Sequence, residues 1–117
     1  MIDMRGDEVA KKSPYESGEL TDSIFLILLV TLKPIHGYKI MQIIQTMTLG
    51  KVNIGPATMY TTLKKLSNAG WITGTSEDDS KILYQVTGEG KKILFENFDR
   101  RKKIMESAEN YLKEEEN

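Results

Sequence analysis

Apolar residues along this chain change their spacing several times, and the changes divide it into elements. From Ile24 to Leu32 almost every position is apolar: Ile24, Phe25, Leu26, Ile27, Leu28, Leu29, Val30 and Leu32. Thr21 or Asp22 stands where a cap is needed, so the run predicts a helix buried on more than one side. Between Tyr38 and Met47, Ile40, Met41, Ile43, Ile44 and Met47 recur at helical spacing while Lys39, Gln42 and Gln45 face out. A third helix is predicted from Pro56, whose missing N–H suits a first helical position, to the stop at Gly70. Its apolar stripe reads Ala57, Tyr60, Leu63, Leu66 and Ala69, and its other face carries Thr58, Thr61, Thr62, Lys64, Lys65 and Asn68. After Gly70 the period drops to two. The stretches 71–76 and 82–87 read as strands, with Glu77-Asp78-Asp79-Ser80 as a polar turn and Trp71 as the anchor to the core. Thr87 then caps a last helix. In it Leu94, Phe98, Arg101, Met105, Ala108 and Leu112 step by four and three, a coiled-coil seam with one polar interruption. Ile93, Phe95, Ile104 and Tyr111 widen that stripe; Gly90 is an awkward residue so early in a helix.

Three short-looped helices followed by a hairpin make a winged helix-turn-helix, in which the second helix braces and the third reads DNA. The expected fold class is therefore mainly α with a small β-hairpin. Residues 1–19 form an N-terminal arm, 20–88 the winged helix-turn-helix, and 89–117 a dimerisation helix. Within the arm, Ser13–Gly18 is a breaker cluster, with a short helical piece around Asp7 to Lys12 and Tyr15 either packed back or part of an unstructured tail. Residues 33–37 read as a turn, and His36 as a capping residue rather than a catalytic base.

Charge sharpens this picture. The 117 residues carry 16 basic and 17 acidic side chains, a net charge of −1 that argues weakly against a nucleic-acid partner. Yet no Asp or Glu occurs between Ser23 and Ser76, where Lys33, Lys39, Lys51, Lys64 and Lys65 lie. Such a segment can collect phosphates on a chain that is nearly neutral overall. Hydroxyls and ammoniums are donors that phosphates and base edges accept, so Thr61, Lys64 and Lys65 are candidate contacts, with Lys39 and, near the wing tip, Lys81. The terminal helix has no small core left to cover it. Pairing with a second copy through Leu94, Phe98, Met105, Ala108 and Leu112 is the economical solution. In such a dimer Phe25, Phe95, Phe98 and Met105 could line an apolar effector crevice or simply a dry interface. The basic run 100–103 alternates with acids and reads as a salt-bridged face.

Other classes are poorly served. The chain has no cysteine and one histidine, so no metal site or cofactor is expected. A glycine-rich phosphate loop and a compact carboxylate pair are also missing, which leaves nothing for an enzyme to work with. The polar start gives no signal peptide, and the apolar run from Ile24 to Val30 is too short to cross a bilayer, so a cytoplasmic protein is expected.

Six stretches resemble the PadR family of bacterial transcriptional regulators: Leu20-Thr21-Asp22, His36 to Gln42, Gly55 to Tyr60, the Leu63 and Leu66 pair, Gly70-Trp71-Ile72, and Tyr84 to Gly90. The resemblance implies a homodimeric repressor of the family's short branch, with a single C-terminal helix. It would bind a pseudo-palindromic operator and leave it on meeting a small hydrophobic or phenolic molecule. It further implies that Thr58 and Tyr60 touch the operator, Tyr60 by placing its hydroxyl near a phosphate. A ring packed inside with its hydroxyl at the surface would reconcile that role with the apolar stripe. Ala57 stands where the family usually has Gly, and the reading helix has no Arg, which rules out bidentate guanine recognition from it. The alternative is a winged-helix protein-interaction module, which would have no need of the acid-free segment.

Overall fold

The computed structural model describes residues 12–78 and 81–116, with only the backbone described at Glu77 and Asp78. Its elements are α1 (Pro14–Ser17), α2 (Asp22–Val30), β1 (Ile35–His36), α3 (Gly37–Met47), α4 (Pro56–Asn68), β2 (Ile72–Asp78), β3 (Lys81–Val86) and α5 (Gly88–Glu116). The fold class is the expected one, mainly α with a small antiparallel sheet and a long last helix.

The sheet is larger than a hairpin. It has three strands in the order β1-β3-β2. Residues 35 and 36, expected in a turn, pair with β3 as Ile35↔Tyr84 and His36↔Leu83. Two extended residues have no period of their own, and only the distant partner strand makes them a strand. β2 runs on to Asp78, so Glu77 and Asp78 belong to the wing strand. The remainder of the expected turn, Asp79 and Ser80, lies outside the described residues, as does most of the helical piece expected around Asp7 to Lys12.

Local chemistry sets the helix ends. The Thr21 hydroxyl accepts from the Ile24 N–H at 3.2 Å, which decides the cap of α2 in favour of Thr21. α4 starts at Pro56 and closes with the Trp71 N–H on the Leu66 carbonyl and the Gly70 N–H on the Ser67 carbonyl. Gly70 takes the left-handed conformation (φ 81°) that this double closure requires. His36 sits at the N-cap of α3 but its side chain makes no capping bond.

The core lies between α2, α3, α4, the sheet and the first turns of α5. Its fully buried side chains include Ile27, Leu28, Ile40, Ile44, Met59, Leu63, Leu66, Ile72 and Leu94. α4 is turned relative to the expected stripe: Met59, Leu63 and Leu66 are buried, while Ala57 and Tyr60 are exposed. Repeated steps of three drift around a helix of 3.6 residues per turn, whereas four then three stays on one face. The arm is partly ordered. α1 places the Tyr15 ring 5.3 Å from that of Trp71, which is buried as expected of an anchor.

One junction ties α4, the hairpin and the last helix together. The Thr87 N–H donates to the Trp71 carbonyl, the Thr87 hydroxyl donates to the Gly70 carbonyl at 2.7 Å, and the Gly90 N–H donates back to that hydroxyl at 3.1 Å. Gly90 is buried here, and a Cβ on it would run into the Trp71 carbonyl oxygen and lie 2.7 Å from Val86 Cγ2. A glycine that looks awkward in the helix is the residue that lets α5 press against the backbone after α4.

The rest of α5 divides in two. Its inner face buries Leu94 and Asn97. Asn97 accepts from the Leu20 N–H at 3.1 Å and donates to the Gly18 carbonyl at 2.8 Å and the Ile93 carbonyl at 2.9 Å. Arg101 donates to the Leu20 carbonyl and the Asp22 carboxylate, both at 2.7 Å, with its guanidinium 4.6 Å over the Phe25 ring. Beyond Arg101, the described side chains up to Glu116 are exposed.

Candidate nucleic-acid interface

The exposed face of α4 presents Thr58, Tyr60, Thr61, Lys64, Lys65 and Asn68. Thr62, expected on the same face, is half-buried. With Lys64 and Lys65 the outward face is positive, and no carboxylate lies on the helix.

Tyr60 is the point where three elements meet. Its side chain is 47% exposed, and its ring lies over Gly37 at the start of α3, so close that a Cβ there would be 2.8 Å from Tyr60 Cε1. The reconciling expectation, a buried ring with an emergent hydroxyl, therefore gives way to a ring resting on the surface of the glycine. The neighbouring residues extend the platform. The His36 and Tyr38 rings stack with planes 12° apart, and His36 Nδ1 lies 3.4 Å from the Ile82 carbonyl of the wing. The His-Gly-Tyr stretch thus has one task per residue: a link to the wing, a seat for Tyr60, and a stacked ring.

The wing approaches from the other side. Tyr60, Lys81 and Tyr84 line one cleft, and Tyr60, Lys64 and Tyr84 line the next. Burial, with Tyr60 nearby, raises the pKa of the Tyr84 phenol above its ordinary value. Lys39, also exposed, lines a separate groove with Gln42, Ile43, Thr46 and Met47 on α3. The structure thus brings Tyr60, Lys64 and Lys81 together and leaves Lys39 apart.

The sequence model of the transcriptional regulator PadR-like family matches residues 26–96, more than half of the chain. The chain belongs to this family. Among curated proteins none matches it by sequence. Solved structures do resemble this PadR-like chain. A transcriptional regulator from Clostridium thermocellum has 19% identity and a TM-score of 0.65, covering 85% of this chain and 98% of its own. A PadR family regulator from Clostridium difficile has 24% identity and a TM-score of 0.60, covering 76% and 97%. RosR from H. salinarum has 19% identity and a TM-score of 0.61, covering 80% and 94%. At these identities the likeness is one of fold, and it spans nearly the full length of each relative. The PadR-like family consists of transcriptional regulators and not enzymes, and among the described residues no helix is long and apolar enough to cross a membrane.

The residues expected at a dimer seam of this PadR-like chain fall into two groups. Leu94 is 1% exposed and is buried inside its own chain. Phe98, Met105, Ala108 and Leu112 are exposed on α5 together with Phe95, Ile104 and Tyr111. Of the expected effector crevice, Phe25 is half-buried beneath Arg101, whereas Phe95, Phe98 and Met105 face solvent in the single chain. Of the basic run, Lys103 pairs with Asp99 one turn away at 3.0 Å, as a salt-bridged helix face requires, whereas Arg100 pairs with Glu19 at 3.5 Å and Arg101 with Asp22, acids far away in the chain rather than along α5. Sequence reasoning missed Met59, Tyr84 and Asn97. Asn97 carries no local signal, since a polar residue on an amphipathic helix reads as an outward one.

Proposed function

We propose that this PadR-like protein is a cytoplasmic, homodimeric DNA-binding repressor that leaves a pseudo-palindromic operator when a small hydrophobic or phenolic effector binds. The observation that carries the reading is the outward face of α4, which bears Thr58, Tyr60, Thr61, Lys64, Lys65 and no carboxylate. In this reading α4 lies in the major groove, with Thr58 and Thr61 close to base edges and phosphates and the two lysines neutralising phosphate. Lys81 meets the backbone beside the wing, and Lys39 a phosphate farther along. Without an Arg on α4, much of the selectivity comes from groove shape and half-site spacing. The exposed apolar side chains of α5 support the dimer, Phe98, Met105, Ala108 and Leu112 being its seam. A crevice between α2 of one copy and α5 of the other, with Phe25 and Phe95 on its walls, would receive the effector.

The test is retardation and footprinting of the DNA upstream of the protein's own gene. Affinity should fall steeply with salt as counterions are released. Replacing Lys64 and Lys65 by Ala in both copies should reduce the slope of log K against log salt by about 3 to 4, as expected if each lysine neutralises one phosphate. Absence of retardation at low salt would remove DNA binding altogether and leave a protein-interaction role for the winged helix. Calorimetry with phenolic and other apolar compounds tests the effector, and heats no larger than dilution would count against it.

A further inference from the structure

Two open cavities meet at the seam between α4 and the wing, one of about 120 Å³ and one of about 410 Å³. Tyr60, Ile82 and Tyr84 line both. Two glycines shape the seam. A Cβ on Gly37 would crowd the Tyr60 ring at 2.8 Å, and one on Gly74 would lie 3.0 Å from Ile82 Cγ2 and 3.4 Å from the Tyr84 ring. Each ring is therefore seated where the facing position has no side chain. Among the described residues no carboxylate lines either cavity, and Lys64, Ser67, Asn68 and Ser76 complete the polar wall of the larger one. The Tyr84 phenol, raised above its ordinary pKa by burial and by Tyr60, remains a protonated donor at neutral pH.

Duplex geometry decides what would cross this seam. A reading helix in the major groove and a wing over the adjacent minor groove have one phosphate strand between them. The geometry points to the Tyr60 and Tyr84 hydroxyls as a paired donor set for a single backbone phosphate of that strand. Tyr84 thereby becomes a DNA contact, and the pair fixes the position of the protein along the groove without reading bases. This inference rests on the DNA-binding reading above.

A neutral phenol donates a hydrogen bond but displaces no counterion, and that separates it from a lysine. The full-length protein, Tyr60→Phe, Tyr84→Phe, the double variant and Lys64→Ala are titrated against a random-sequence duplex over a series of salt concentrations. Both phenylalanine variants keep their rings and should unfold in urea close to the native protein. Each should bind roughly tenfold more weakly, two copies of one hydrogen bond being lost per dimer. The salt slope should not change in these variants, whereas it should fall in Lys64→Ala. The double variant should lose less than the product of the two single losses, because both hydroxyls serve one phosphate. Wild-type affinity in Tyr84→Phe, or single losses that multiply in full, overturns the paired site while DNA binding stands. A native protein that binds no duplex at low salt overturns both.

Discussion

Two glycines show how much a single missing side chain can decide. At Gly90 the obstacle is backbone, the Trp71 carbonyl, which is itself bonded to the Thr87 N–H. Nothing there can give way, so Gly90→Ala should destabilise the protein by about 3 kcal/mol in a urea titration followed by circular dichroism. At Gly37 the obstacle is the Tyr60 ring, the end of a flexible side chain. Gly37→Ala should cost only about 1 kcal/mol of stability, and its larger effect should be on DNA binding, through the displaced ring. Equal stability losses at the two sites would refute this distinction. The phenols add a pH dependence. Burial raises Tyr15 and Tyr84 above the ordinary value of 10.0, in Tyr84 helped by Tyr60. Below pH 10 both are neutral whether the chain is folded or not, so their contribution is fully present. As pH rises past 10 and through the raised values, the unfolded chain ionises first and stability falls. Replacing both by Phe should flatten that alkaline loss in urea midpoints, and an unchanged profile would count against it.

Among the elements, α5 departs most from its appearance in the sequence. The step of four and three from Leu94 to Leu112 reads as one continuous seam, but the helix serves two surfaces. Its first turns are part of the core shared with the other helices and the sheet, held by Leu94 and by the hydrogen bonds of Asn97 to residues 18 and 20. Asn97→Ala would strand the buried Leu20 N–H and leave the Gly18 carbonyl without this donor, a loss of about 2–4 kcal/mol. The segment joining α1 to α2 should loosen with it. Because the chain has one tryptophan, Trp71, and Tyr15 of α1 packs on it, the loosening should appear as a change in Trp fluorescence before global unfolding. A single transition coincident with circular dichroism would show that α1 is not released separately.

For the molecule as a whole, the outer half of α5 carries a run of apolar side chains that a single chain leaves uncovered. Phe98 is 53% exposed and Met105 60%. Replacing both by Glu should leave the monomer's fold intact and shift sedimentation equilibrium from dimer to monomer. On the proposed dimeric reading, DNA affinity should then drop about a hundredfold or more, because the contacts of one copy no longer tether those of the other. A dimer that survives both substitutions would move the interface elsewhere on the chain.

The order of helices, the strand period after Gly70, the stop at Gly70 and a cap at Thr21 or Asp22 were legible in the sequence, because each depends on residues within a turn or two of one another. So were the motifs that mark the family and the acid-free segment from Ser23 to Ser76 that contains α4. What the sequence could not supply was any feature defined by a partner far along the chain. Residues 35 and 36 become a strand only against β3, and Gly90 and Asn97 find their reasons in Trp71 and in residues 18 and 20. Local propensity fixes elements because hydrogen bonds and caps close within a few residues. The rotation of a helix about its axis, and the place where two backbones touch, are set by the packing of the whole core.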